Sequence, residues 1–69
     1  MKIFEAIAIP QNHRLFAHFL HEGKIHTFAI DHSDANQHRI TPYRTIQVSI
    51  HNWEDQFCKV IQTIPKTLL

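Results

Sequence analysis

The chain has one cysteine and one glycine in its 69 residues, and each scarcity excludes a class of site. A single cysteine, Cys58, cannot form an intramolecular disulfide, and no cysteine and histidine spacing of the zinc-finger kind is present. A single glycine, Gly23, excludes a glycine-rich phosphate-binding loop, because such a loop needs several glycines to bring backbone N–H groups to the phosphates. We therefore expect neither a cofactor nor a structural metal.

Long apolar runs are also missing from the sequence. No stretch approaches the roughly 18 residues of a membrane-spanning helix. The first six residues carry charge within their apolar run and have no small-residue cleavage site. These absences predict a soluble, cytoplasmic protein without a membrane partner.

An excess of charge of one sign is absent as well, since seven Lys and Arg residues and six Asp and Glu residues give a formal net charge of +1. This balance by itself favours neither a nucleic acid nor an acidic protein as partner. Histidine is the abundant titratable group, with seven residues in the chain. Because imidazole titrates close to neutral pH, mild acidification raises the net charge of this histidine-rich chain strongly.

The length predicts a single small domain, residues 1–69, of marginal stability. A domain of this size buries only about 60% of the surface that its unfolded chain exposes. Since neither a disulfide nor a metal is expected to stabilise it, oligomerisation or docking onto a larger partner is the remaining route. A homodimer therefore stays open beside a complex with a larger partner.

The clearest local pattern is a β-hairpin over residues 14–31, centred on Gly23. Two β-prone runs meet at this glycine, and residues 21–24 predict a three-residue loop in which a type I turn is closed by a left-handed glycine. The loop length sets the register, and both faces of the hairpin then carry large apolar groups. The predicted cross-strand pairs are Leu20 with Lys24, His18 with His26, Phe16 with Phe28, Phe19 with Ile25, and Leu15 with Ala29.

Two further segments have the pattern of strands. Residues 2–9 alternate with apolar side chains on both sides, which is typical of a central strand. Residues 10–13 contain proline and asparagine at positions that favour a turn, and this turn returns the chain antiparallel. Residues 45–50 alternate strictly, with the isoleucine and valine side chains predicted to face inward and the polar side chains outward.

The last part of the chain predicts a helix. Asn52 is placed as its N-cap, Asp55 stands in the capping-box position, and Pro65 ends it. Residues 31–44 are polar and lack periodicity, so we expect a long loop there. The apolar stripe of the predicted helix consists of Trp53, Phe57, Val60, Ile61 and Ile64.

The predicted fold is α+β, with the element order β-β-β, long loop, β, α. A mostly antiparallel four-stranded sheet then packs one face against the C-terminal helix. Its other face stays open and carries aromatic and histidine side chains of the hairpin, which makes it a candidate contact surface. The alternative is that these aromatic side chains pack under the loop of residues 31–44.

Histidine is a common ligand of transition metals, so the histidines are the first candidates for a site. His18 and His21 point to opposite faces of a strand, whereas the predicted register brings His18 and His26 about 5 Å apart. Two imidazoles make a weak metal site, and a third ligand would come from elsewhere or from a second copy. A histidine acid-base pair assisted by Lys24 or Arg14 is the catalytic alternative, but no assembled site accompanies it. We therefore expect no metal, no catalytic residue and no enzyme.

A segment without acidic residues runs from residue 35 to residue 53. Its basic side chains lie near an aromatic ring, which suits a phosphate backbone with a stacked base, and suits an acidic protein surface equally. The alternative is a solvated loop whose arginine stems cover apolar surface. The candidate partner-binding residues of this segment are His38, Arg39, Tyr43, Arg44 and His51, and His18 and His26 join them from the hairpin.

These patterns predict a non-enzymatic binding protein, an accessory or inhibitor of a larger macromolecular machine that acts by protein–protein contact. The expected partner is a larger protein or a ribonucleoprotein complex. In size and layout, although in no motif, the chain resembles the small inhibitors of phages and mobile elements, anti-CRISPR inhibitors among them. A nucleic-acid-binding module that uses residues 35–53 is the first alternative, and a histidine-based metal or acid-base site is the second.

Overall fold

A computed structural model of the protein describes residues 2–65 and contains five strands and one short helix. In chain order these elements are β1 (Lys2–Gln11), β2 (Arg14–His21), β3 (Lys24–Ile30), α1 (His32–Gln37), β4 (Thr45–Ile50) and β5 (Phe57–Thr63).

The strands close into a barrel in the order β1-β2-β3-β5-β4. The first half of β1 pairs with β4 and its second half pairs with β2. A closed barrel has no central strand, and the side of β1 that carries Ile3 and Ile7 is exposed, so the prediction of a central strand is not met. The β1–β2, β2–β3, β1–β4 and β4–β5 pairs are antiparallel, whereas β3 and β5 run parallel. This connectivity, with a helix between β3 and β4, is that of the five-stranded Greek-key barrels of the OB-fold type.

Alternation along each strand places one set of side chains inside the barrel. The inward positions of β4 are confirmed, since Ile46, Val48 and Ile50 are buried, but Ser49, predicted to face outward, is buried as well. On β1 the small Ala6 and Ala8 face the interior, and the isoleucines face outward. The remaining core residues are Ala17, Phe19, Phe28, Ile30, Ile40, Cys58 and Val60.

Residues 57–63 form a strand, so the predicted four-stranded α+β fold with a C-terminal helix is wrong. Asn52 does act as a local cap, because its side chain accepts a hydrogen bond from the Glu54 N–H at 3.0 Å, but no helix follows. The segment then enters β5, where buried Cys58 and Val60 alternate with the exposed Lys59. This period-2 alternation and the β-branched residues of β5 prevail over the apolar stripe at helical spacing.

The predicted long loop of residues 31–44 contains α1, which is the only helix within residues 2–65. Asp31 caps this helix, because its side chain accepts a hydrogen bond from the Ser33 N–H at 3.1 Å. A six-residue helix is too short to show helical periodicity, which is why the sequence pattern missed it. Asp34 follows the cap by three residues, but its carboxylate contacts β5 instead of closing a capping box.

The β2–β3 hairpin forms, but its predicted register is wrong by one residue. Glu22 and Gly23 both have positive φ, 52° and 76°, so the turn has two residues instead of three, and His21 stays in β2 opposite Lys24. Two-residue turns of this kind match the right-handed twist of the flanking strands. A shift of one residue changes every cross-strand partner. The observed pairs are His21↔Lys24, Leu20↔Ile25, Phe19↔His26, His18↔Thr27, Ala17↔Phe28 and Phe16↔Ala29.

The turn between β1 and β2 is also shorter than predicted. Asn12 and His13 form it, both with positive φ, 50° and 64°. Pro10 and Gln11 therefore belong to β1, where Pro10 lies opposite Leu15. The hairpin that results is antiparallel, as predicted.

Candidate functional site

Large aliphatic side chains are exposed on the outer surface of β1, β2 and β3. Leu20 and Ile25 are each 66% exposed and lie opposite each other in the hairpin. Ile7 of β1 is 46% exposed and lies opposite His18 of β2. We call Ile7, His18, Leu20 and Ile25 the outer face, and Ile3, 51% exposed on the same side of β1, extends it along that strand.

The outer face lines a shallow groove of about 410 Å³. Among the described residues that line this groove, Glu5 is the only one with a formal charge at neutral pH, and none is Lys or Arg. Burying apolar surface contributes about 25 cal/mol per Å². The face therefore offers a partner apolar contact and almost no positive charge.

His18 supplies the central polar group of the outer face. It lies opposite Ile7 on one side and opposite Thr27 on the other. Its Nε2 atom is buried and has no hydrogen-bond partner among residues 2–65. A buried ring nitrogen is normally hydrogen-bonded, and a partner could pair with this atom only after the His18 ring rotates to expose it.

His26 lies on the other side of the sheet from His18, so the predicted pair of His18 and His26 is wrong. The ring of His26 stacks on Phe19 with centroids 5.6 Å apart. It also meets Trp53 edge-on at 5.1 Å. His26 therefore belongs to the aromatic packing at one end of the barrel interior and not to the outer face.

Trp53, in the loop between β4 and β5, is the centre of this aromatic packing. Its ring stacks on His21 at 5.1 Å and meets Phe4 edge-on at 5.5 Å. It also lies 5.8 Å from the ring of Phe28, which is buried. The contacts join β1, β2, β3 and the β4–β5 loop, so no local sequence signal could have indicated this cluster.

The candidate residues of the acid-free segment do not form one surface. His38 is the C-cap of α1, and Arg39 and Tyr43 follow in the connection to β4. His38, Arg39 and Tyr43 precede β4, whereas His51 follows it. The six residues of β4, at about 3.3 Å each, separate His51 from the other three by roughly 20 Å. These residues therefore do not share one surface through which a single partner could contact all of them.

Tyr43 and Arg44 continue the pairing of β1 through their backbones. The Tyr43 N–H donates to the Ala8 carbonyl at 2.6 Å, and the Ala8 N–H donates to the Arg44 carbonyl at 2.9 Å. The Tyr43 side chain is exposed, whereas Arg44 is half-buried and its Nε has no hydrogen-bond partner within residues 2–65. The backbones of both residues thus support the barrel, and the Tyr43 ring lies in solvent.

The groups that could perform catalysis or bind a metal include two close pairs, Ser49 with His51 and His21 with His26. In the described part of the chain, no three His, Cys, Asp or Glu side chains come close enough to hold a metal ion. Burial raises the pKa of the Cys58 thiol to about 12, and this thiol donates to the Ala29 carbonyl at 3.6 Å. The Ser49 hydroxyl lies 3.4 Å from His51 Nε2, but Ser49 is buried and offers no accessible nucleophile.

No protein-family model, curated protein or solved structure matches this chain. Within residues 2–65, no helix has the length and apolarity that crossing a membrane requires. Function is therefore inferred from the barrel and from the chemistry of its surfaces.

Proposed function

We propose that the protein is a non-enzymatic, cytoplasmic binding protein that docks through its outer face on a larger protein or on the protein part of a ribonucleoprotein. The observation that supports this proposal is the exposure of Ile7, Leu20 and Ile25 on three adjacent strands around His18. Contiguous apolar side chains of this size are uncommon on the surface of a free monomer and are typical of contact surfaces.

The chemistry of the outer face favours a protein over a nucleic acid. Barrels of this topology often bind oligonucleotides or oligosaccharides across β2 and β3, but a fold by itself does not define a function. A phosphate backbone requires Lys or Arg, and stacked bases require exposed aromatic rings. Among the described residues that line the groove there is no Lys or Arg, Phe19 is buried, and His18 is half-buried. A complementary partner presents aliphatic side chains to Ile7, Leu20 and Ile25.

Inhibition of a larger machine is the most specific form of this proposal. The resemblance to small phage and mobile-element inhibitors rests on size and on the predicted layout of a helix-backed sheet. The observed layout is a barrel, so the layout no longer supports the resemblance. Size and the exposed apolar face remain as support. Both features suit a small protein that covers a functional surface of a larger one.

Nucleic-acid binding is the second candidate function, and one observation favours it. The Tyr43 ring is 68% exposed, and Arg39 and Arg44 lie near it in the sequence. A base that stacks on Tyr43 and a phosphate that pairs with Arg39 would form a small contact of this kind. Its affinity would fall steeply with salt, because phosphate contacts release counterions.

Site-specific photocrosslinking in the native host tests the proposed docking. A benzophenone amino acid replaces Ile25 on the outer face, and a matched variant carries it at Ile61, an exposed isoleucine of β5 that does not line the groove. We expect a discrete protein adduct at position 25 that resists nuclease and is absent at position 61. Docking on a larger protein would be contradicted if position 25 gave no adduct or if both positions gave the same adducts. It would also be contradicted by an adduct that nuclease removes or by an adduct with a second copy of the chain.

A further inference from the structure

A second groove lies beside α1, and it shares no lining residue with the outer-face groove. Its volume is about 320 Å³, at the lower end of the range of about 300–1,000 Å³ for small-molecule sites. Leu15, Ile30 and Ile40 contribute apolar surface to its lining. The groove therefore has room and apolar contacts for one short hydrocarbon group.

Hydrogen-bond donors also line this groove. His13 comes from the β1–β2 turn, Arg14 from the start of β2, and His32 and Asn36 from α1. His32 and Asn36 are four residues apart and so lie on the same face of the helix. Among the described residues that line the groove there is no Asp or Glu. This set of donors without a carboxylate complements an anion.

Arg14 is held in position by Phe57. The guanidinium carbon lies 5.0 Å from the centroid of the Phe57 ring. This cation–π contact supplies no lone-pair acceptor, so the guanidinium N–H groups still need hydrogen-bond acceptors. The Nε atom of Arg14 is buried and has no hydrogen-bond partner within residues 2–65. The Arg14 side chain thus lines the groove, contacts Phe57 and has a guanidinium Nε without a hydrogen-bond acceptor among the described residues.

The nearby carboxylate of Asp31 has other partners. Asp31 accepts hydrogen bonds from the Ser33 N–H at 3.1 Å and from the Ser33 hydroxyl at 3.2 Å. These bonds cap α1 and hold the carboxylate in an exposed position. The Ser33 hydrogen bonds lower the pKa of Asp31, and the charge of Arg14 contributes a smaller part, but no hydrogen bond joins Asp31 to Arg14.

We propose that this groove binds a small organic anion, a carboxylate on a short apolar chain. The planar guanidinium of Arg14 matches the two oxygens of a carboxylate, and charge-assisted pairs of this kind are about twice as strong as neutral hydrogen bonds. His13 and Asn36, which also line the groove, donate to the same headgroup. The apolar chain lies on Leu15 and Ile40.

Octanoate is the probe, and octanamide is its uncharged match. Each is titrated into ¹⁵N-labelled protein while the backbone amide signals are followed by NMR. We expect saturable shifts at His13, Asn36 and Ile40 with a dissociation constant of about 1 mM or lower for octanoate. Octanamide should bind more weakly than octanoate by about tenfold or more. Shifts that do not saturate, or equal affinity for the two probes, would overturn the proposal.

Variants assign the binding to this groove. Arg14→Gln should weaken octanoate binding by about tenfold or more, which corresponds to about 1.4 kcal/mol. Arg39→Gln is the matched control, because Arg39 is exposed and does not line the groove. Asn36→Asp, at an exposed helix position, should weaken octanoate binding similarly, because it places a negative charge beside the headgroup. This second variant keeps the test valid if loss of the contact between Arg14 and Phe57 unfolds the chain. Unchanged affinity in Asn36→Asp would exclude the groove as the site.

Discussion

The buried carboxylate of Asp34 accepts a hydrogen bond from the Val60 N–H at 3.1 Å and thereby joins α1 to β5. Its other oxygen accepts a hydrogen bond from Lys59 Nζ at 3.3 Å. The parallel contact between β3 and β5 has only two paired positions, so few backbone bonds hold this part of the barrel. Asp34 thus connects the helix to the least extensively paired strand junction.

Replacement of Asp34 by Ala should lower the free energy of unfolding by about 2 kcal/mol or more, because the Val60 N–H is left buried without an acceptor. Urea unfolding followed by the fluorescence of the single tryptophan, Trp53, measures the change. Glu54→Ala, at an exposed loop position, is the control and should stay within about 0.5 kcal/mol of wild type. A loss from Asp34→Ala no larger than that of the control would contradict the proposed role of Asp34.

The inside and outside of the barrel can be compared with two isoleucines. Ile46 is fully buried, so Ile46→Ala should cost about 2–5 kcal/mol. Ile25 is 66% exposed on the outer face, and Ile25→Ala should lower the free energy of unfolding by less than about 1 kcal/mol. Thermal or urea unfolding of both variants provides the comparison. Similar losses from the two substitutions would show that the alternation of buried and exposed positions is misassigned.

Gly23 provides a test of the two-residue turn. A Cβ atom at this position would have no neighbour within 4 Å, so the cost of Gly23→Ala arises from the backbone conformation, with φ at 76°. We expect a loss of about 1 kcal/mol. Gly23→Asn should lose less, because asparagine adopts the left-handed region more readily. Equal melting temperatures for wild type and Gly23→Ala would show that the turn has another conformation.

Cys58 should react slowly with thiol reagents while the protein is folded. Burial raises its pKa to about 12, and only the thiolate reacts rapidly. At pH 8 the rate of labelling by dithionitrobenzoate should follow the rate of unfolding, and denaturant should accelerate it strongly. The pKa of the thiol is higher in the folded protein than in the unfolded chain, where it is about 8.5. The contribution of this thiol to the free energy of unfolding is therefore fully present below about pH 8.5 and declines as the pH rises toward 12. Labelling of native protein as fast as that of free cysteine would contradict this environment.

The sequence predicted those parts of the fold that local patterns determine. Strict alternation marks β4, and two β-prone runs around Gly23 mark the hairpin. The end of the chain was mispredicted because Trp53, Phe57 and Val60 fit a helical stripe, while only contacts with β3 and β4 show that Val60 faces a barrel interior. Closure of the barrel depends on such distant pairing, which local periodicity does not encode.

The candidate site was predicted only in part for the same reason. The hairpin was expected to present a contact surface with His18, and the structure places His18 on the outer face. The one-residue error in register, however, assigned His26 to the same side as His18. Leu20 and Ile25 face each other only in the observed register. Turn length, which depends on the conformation of Glu22, therefore determines which residues share the face.

Docking through the outer face is tested most directly by the affinity of the photocrosslinked partner for Leu20→Lys. Leu20 is 66% exposed, so this substitution places a charge on the face with little effect on the barrel. Ile61→Lys on β5 is the matched control. We predict that Leu20→Lys weakens binding by about tenfold or more, that Ile61→Lys does not, and that wild-type affinity depends little on salt. Wild-type affinity in Leu20→Lys, or a steep fall of affinity with salt, would contradict docking through this face.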